Sequence, residues 1–248
     1  MSQESAGLPK EIIEDLREAA TRRAAGWRCF SLGFHEPTQD VLDDGYLVAL
    51  DEAVNWTETG RERFRGGWDA MVEFHSSSGG KKDRATLLAE LEAEYARLFK
   101  GTEAGLTPPY ESQYRERAAD AESPLEPGSV VKAVRGFYQE GGWPSAPSPD
   151  EPPDHVATEC EFMHYLCRQE ADAWRNGDAA KAREYRLLEH RFLDEQLSRW
   201  LLDLCSDIQA TSHSRFYWGL ADFAGHYISL ETGADFYVSF TPDDPSPR

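Results

Sequence analysis

Apolar side chains recur with a helical period from one end of this chain to the other, and that period restricts the fold more than any other feature. Ile12, Leu16, Ala20, Trp27, Phe30 and Phe34 follow the 3.6-residue repeat of an α-helix. Thr38 is placed to cap a second helix carrying Val41, Leu42, Leu47, Leu50 and Val54, and a shorter helix holds Phe64, Trp68, Met71 and Val72. Asp83 caps a further helix with Leu87, Leu88, Leu91, Tyr95, Leu98 and Phe99 on one face, and Gly101 ends it. Residues 105–123 read as an ordered loop or short turns. Val130 to Tyr138 is a short helix stopped at Gly141-Gly142. Three helices follow, the first with Val156, Cys160, Met163, Cys167 and Trp174. The second runs from about Asp178 to Asp207, and the third carries Phe216, Leu220, Phe223, Tyr227 and Leu230. Two-residue alternation is nearly absent, and Val238-Ser239-Phe240 is too short for a strand. The fold class is all-α, with no repeat of fixed period.

One segment interrupts the helices. Residues 141–153 are rich in proline and end in Glu151-Pro152-Pro153-Asp154-His155. The two prolines stiffen the approach and cannot lie inside a helix. Asp154 is placed to cap the helix that follows, which sets His155 at its mouth within reach of a ligand. The expected organisation is a single domain of two helical halves, 1–140 and 155–240, joined by a proline-rich hinge at 141–154. Residues 76–82 form a flexible break and 241–248 a loose tail.

Charge narrows the partners. Against 26 basic residues stand 45 acidic ones, a net charge of −19. Such a balance argues against nucleic acid or an anionic membrane and suits a cationic partner, or simply solubility in a salty cell. Cys29, Cys160, Cys167 and Cys205 form no zinc-type spacing and read as core thiols in a reducing compartment. No stretch approaches the roughly 20 apolar residues of a membrane span. The polar start and the lack of an apolar run after Arg22-Arg23 predict a cytoplasmic protein without an export signal.

Catalytic motifs are scarce. Glu161 and His164 make an E-x-x-H pair as in carboxylate-bridged metal bundles, but no second acidic residue stands three before another histidine. Cys160, His164 and Cys167 share a helix face, which leaves a helical metal-binding enzyme using Glu161 and His164 as the alternative to core packing. Ser78-Gly79-Gly80-Lys81 lacks the first glycine of a phosphate loop, and no G-x-S-x-G elbow exists. The remaining constellation is aromatic and acidic. Tyr110, Glu111 and Tyr114 lie on one loop, Phe137, Tyr138 and Trp143 precede the hinge, and Glu151, Asp154, His155, Glu159 and Glu161 belong to it or follow it. Packed together, these segments line a groove with apolar walls and acidic edges, suited to an arginine-bearing peptide. The competing reading makes the tyrosines core residues and the acids solvent-facing.

Several short motifs occur in one order. They are Glu94-Tyr95-Ala96-Arg97-Leu98-Phe99, Pro108-Pro109-Tyr110-Glu111-Ser112-Gln113-Tyr114, Gly136-Phe137-Tyr138, Glu151-Pro152-Pro153-Asp154-His155, Glu159-Cys160-Glu161-Phe162-Met163, and Phe192-Leu193 with Trp200. In this order, over about Leu87 to Leu204, the chain resembles the TorD/DmsD family of redox-enzyme maturation chaperones, with Cys160 replacing a usual leucine. The resemblance implies an all-helical cytoplasmic chaperone, not an enzyme. Such a protein binds the twin-arginine signal peptide and the apoprotein of a molybdopterin oxidoreductase until the cofactor is inserted. It implies that Asp154 and His155 are the hinge residues for the peptide, with Tyr110, Tyr114, Phe137 and Tyr138 near the same groove. It implies no bound cofactor beyond the weak GTP binding of some relatives, and a monomer or domain-swapped dimer. The chain length and the P-P-Y-E-S loop tilt the resemblance towards chaperones of periplasmic heterotrimeric enzymes.

Overall fold

The computed structural model describes residues 8–54, 58–76, 83–101, 107–119, 125–146 and 152–232. Residues 77–82 of the break expected at 76–82, residues 147–151 of the expected hinge (Glu151 among them), the segment 238–240 and the tail 241–248 lie outside them, and Ser76 belongs to a helix. Ten α-helices are described. They are α1 (Lys10–Phe34), α2 (Asp44–Ala53), α3 (Glu58–Ser76), α4 (Arg84–Tyr95), α5 (Glu111–Ala118), α6 (Ser129–Glu140), α7 (Val156–Arg175), α8 (Ala179–Glu195), α9 (Leu201–Thr211) and α10 (Arg215–Thr232). Short 3-10 turns precede α2 (Gln39–Leu42) and α9 (Leu197–Arg199), and α4 ends in a π-type turn, Ala96–Lys100. Among the described residues there is no strand, only one isolated bridge. The all-α reading therefore stands.

Local signals account for several boundaries. Asp83 Oδ1 accepts the Thr86 amide at 2.7 Å, and Asp178 Oδ1 accepts that of Lys181 at 3.0 Å, so both helices start on an aspartate cap. Gly177, at φ 73°, makes the tight α7–α8 turn that side-chain-bearing residues resist. Three boundaries differ from expectation. Thr38 caps the 3-10 turn at Gln39–Leu42, and α2 begins only at Asp44. Glu111–Ala118, within the expected loop, is a two-turn helix. The helix expected over 178–207 breaks into α8 and α9, because Gln196 and Trp200 take non-helical backbone angles. The break turns Trp200 inward, where its indole Nε1 donates to Glu159 of α7 at 3.2 Å.

The helices pack into one main core. α1 lies along α7, α3 against α10, and α7 and α10 also pair with α8 and α9. Helices from both sides of residues 141–153 thus share the same apolar interior. One focus is Trp27, Phe30, Phe64, Phe223 and Tyr227; another is Tyr138, Trp143, Phe162 and Phe192. A smaller cluster joins Trp174, Ala179 and Ala182 to Leu8, Ile13 and Leu16.

The α3–α10 crossing depends on two glycines. A Cβ on Gly67 would stand 2.7 Å from the Gly219 carbonyl oxygen and 3.0 Å from the Phe223 nitrogen, both backbone atoms that cannot step aside. The Gly67 amide also donates to Asp222 Oδ2 at 2.7 Å. Gly67→Ala is therefore expected to lower the unfolding free energy by about 1–3 kcal/mol through overpacking. Gly45→Ala, which meets nothing within 4 Å, should be neutral or mildly stabilising. Urea unfolding of the two variants checks this, and an unshifted midpoint for Gly67→Ala would refute the close crossing.

Candidate functional site

Two motif segments far apart in sequence meet as neighbours. The Glu111 amide donates to the Asp154 carbonyl and the Val156 amide to the Pro109 carbonyl, each at 2.9 Å. They form a single antiparallel bridge between Tyr110 and His155. The two rings meet edge to face, 5.2 Å between centroids, and both residues are half-buried. This pairing fixes which residue caps which helix. The Asp154 carboxylate does not cap α7 as expected. It reaches across the bridge and accepts the Ser112 amide at 3.0 Å, at the start of α5. His155 caps α7 instead, its Nδ1 accepting the Ala157 amide at 3.1 Å. The physical reason is that the bridge ties the Asp154 backbone to Glu111 and turns its side chain towards the free amides of the other helix.

Below the bridge lies a set of sealed carboxyl groups. Asp154 is 2% exposed, and Glu111 and Glu159 are 0% exposed, so none of the three edges an open groove. Arg115 Nη1 sits 2.6 Å from Glu111 Oε1, and Trp200 donates to Glu159 Oε2. No donor reaches Glu111 Oε2 or Glu159 Oε1 while both carboxyls are ionised. A proton kept on Glu159 resolves this, because the protonated carboxyl donates to Glu111. Burial supplies the cause. It pushes Glu159 well above the usual carboxylate range and Glu111 up to about 7, with the Arg115 charge opposing the shift on Glu111.

His155 shifts the other way. Burial, helped by the nearby His35 ring and opposed by Asp154, pulls it down to about 4. It is thus neutral at pH 7, and with Nδ1 accepting the Ala157 amide its proton sits on Nε2.

The aromatic candidates hold this arrangement from behind. The Tyr138 hydroxyl donates to the Pro153 carbonyl at 2.7 Å, and its ring packs on Trp143 and Phe162. Phe137 meets Phe192 edge to face, and the Tyr114 hydroxyl donates to Asp207 at 2.9 Å. All four (Tyr114, Phe137, Tyr138 and Trp143) are buried. Of the ten groove candidates within the described residues, only Tyr110, His155 and Glu161 keep partial exposure. Glu151 lies outside the described residues. The sequence reading missed Arg115, although its i+4 spacing from Glu111 signalled the pair. It missed the bond from Trp200 to Glu159 because nothing local links them.

The metal alternative finds its ligands otherwise engaged. His164 Nδ1 bonds the Ala24 carbonyl at 2.8 Å, and Glu161 pairs with Arg28 at 3.7 Å. Cys160 and Cys167 are fully buried thiols whose pKa burial pushes far up. Among the described residues no group of three His, Cys, Asp or Glu side chains is arranged to hold a metal. Nor is any described helix long and apolar enough to cross a membrane.

The pattern of the nitrate reductase delta subunit family matches residues 59–206, from α3 through most of α9 and across both bridged motifs. The chain belongs to that family. Two relatives are similar over most of their own length. The selenate reductase assembly chaperone protein of Thauera selenatis is 28% identical over 183 residues, 73% of this chain and 84% of that protein. The chlorate reductase assembly chaperone protein of Ideonella dechloratans is 31% identical over 153 residues, 61% of this chain and 74% of that one. A shorter match, 28% over 102 residues, is to the perchlorate reductase assembly chaperone protein of Dechloromonas aromatica strain RCB. It covers 41% of this chain and 44% of that protein. These family relations bear out the resemblance to maturation chaperones, and with it the reading of the chain as a chaperone and not a catalyst.

Proposed function

We propose that this chain is a cytoplasmic assembly chaperone for a molybdopterin-containing reductase. In this reading it binds the twin-arginine signal peptide of the apoprotein and holds the client until its cofactor is inserted and export can begin. The observation that carries the reading is the half-exposed Tyr110–His155 pair, held rigid by the bridge, the two helix caps and the buried carboxyls beneath. A preorganised aromatic face loses little entropy on binding. The names of the relatives support a reductase as the client. The net charge of −19 supports a cationic peptide, steering its approach more than setting its affinity.

Titration with the signal peptide of a molybdoenzyme encoded beside this chain tests the proposal. His155→Asn keeps a side-chain acceptor for the Ala157 amide but removes the imidazole. It is expected to weaken peptide binding about tenfold, roughly 1.4 kcal/mol, with little change in melting temperature. Replacing both peptide arginines by glutamine should weaken binding as well. Unchanged affinity in both experiments would remove the hinge from the binding surface.

A further inference from the structure

Near the hinge pair a cation, a carboxylate and an aromatic ring come together. Lys100, at the end of the π-type turn, has its Nζ 2.9 Å from Glu36 Oε2, and the same ammonium sits 5.3 Å from the Tyr95 ring centroid. Glu36 follows the C-terminus of α1 and Tyr95 closes α4, so three separate segments build the contact. We propose that Glu36 and the face of Tyr95 form a guanidinium-binding subsite for the client peptide, kept filled in the free chain by Lys100. This rests on the peptide-binding reading above and names where one arginine would go.

Three observations support it. The pair is weakly held, because the Glu36 and Lys100 side chains are 62% and 51% exposed, and ion pairs this open contribute little net stability. A guanidinium suits both partners better than an ammonium does. It is planar, can lie flat on a tyrosine ring, and offers two parallel donors to a carboxylate; Tyr95 is 6% exposed with the Lys100 ammonium over its ring, so a guanidinium reaches that face only as the lysine leaves. The subsite also adjoins the hinge. Tyr110 and Glu36 both act electrostatically on the Tyr95 hydroxyl, and His35, next to Glu36, acts on His155.

The test uses the full chain and a fluorescent signal peptide made in Arg-Arg, Lys-Lys and Gln-Gln versions, read by anisotropy. Lys100→Gln removes the occupant and should tighten Arg-Arg binding about three- to fivefold. Glu36→Gln should weaken it by a similar factor, and the Gln-Gln peptide should bind all three proteins alike. Lys-Lys should lose most of the advantage of Arg-Arg on the wild type. Both substitutions are at exposed side chains, so folding is not at stake. If the wild type prefers Arg-Arg and both variants retain the wild-type affinity for it, this subsite is wrong while the peptide reading survives. If the wild type binds none of the peptides, or binds Arg-Arg and Gln-Gln equally, the arginine-recognition reading falls and this proposal with it.

Discussion

Replacing Arg23 by methionine is expected to lower the unfolding free energy by about 3–5 kcal/mol at pH 7.5, the cost of stranding buried carboxylates. Arg23 leaves α1 and reaches between α7 and α8. Its Nη2 bonds Glu170, and its Nε lies 3.2 Å from Glu189 Oε2. Glu170 is 3% exposed and Glu189 1%. Trp174 Nε1 still donates to Glu170 at 3.0 Å, and Arg186 still pairs with Glu189 at 2.9 Å, which keeps the loss at the modest end for two buried acids. Methionine retains much of the aliphatic stem, so the loss reports the charge and its hydrogen bonds more than packing. The loss should depend on pH. Burial pushes Glu189 up to about 7 even with Arg23 present, and without that cation its protonated form is favoured further. A carboxyl whose folded pKa is raised makes the native state hold a proton the unfolded chain has released, so the native state loses ground as pH rises. The deficit of Arg23→Met is therefore larger at pH 7.5 than at pH 5.5. Its neighbour supplies the control. Arg22 is 39% exposed and only 3.8 Å from Glu18, so Arg22→Met should cost well under ~1 kcal/mol. Urea unfolding at both pH values measures all of this, and a loss below about 1 kcal/mol for Arg23→Met at both would refute the assigned role.

The contrast between Arg22 and Arg23 shows how far the sequence could be read. Two adjacent arginines look alike in a string, and only the packing of α1 on α7 and α8 makes one a surface group and the other a buried bridge. Helix existence was legible, because α1, α4 and α7 bury long, regularly spaced apolar faces and Asp83 carries its own cap signal. α5 was not, because eight mostly polar residues have no periodicity to read, and its first turn is capped by Asp154 from another part of the chain. The break at Gln196–Trp200 was invisible for the same kind of reason: it serves a bond to Glu159 on α7. At the candidate site, motif order named segments that the structure brings together, with Tyr110 beside His155. It did not reveal that Asp154, Glu111 and Glu159 turn inward, since acidic residues are far more often solvated than sealed. What placed them inside is the backbone pairing of 109–111 with 154–156, together with one arginine and one indole that share the load.

That inward turn carries the second large effect. Glu159→Gln is expected to flatten the dependence of stability on pH by about 2 kcal/mol between pH 5.5 and 7.5. Burial raises Glu159 well above its ordinary value of 4.5, and the neighbouring Glu111 charge raises it further. A carboxyl raised in this way keeps its proton in the folded chain after the unfolded chain has given it up. Each such proton lowers stability by about 1.4 kcal/mol for every unit that pH rises. Other groups act in the same range. Glu111 and Glu189, both raised to about 7, add in the same sense. His155, lowered to about 4, acts oppositely, because a histidine kept neutral by folding loses stability as pH falls below its unfolded value near 6.5. Asp83 and Glu94 are lowered, so their share is complete above the usual carboxylate range and drops out of the window. The decisive quantity is therefore the difference between the variant and wild-type curves, in which these other contributions largely cancel. Glutamine keeps a carbonyl to accept from Trp200 and an amide to donate to Glu111, so the hydrogen bonds survive while the titration is removed. Parallel curves from urea unfolding at five pH values would show that no proton resides on Glu159. The two partnerless oxygens of Glu111 and Glu159 would then need another explanation.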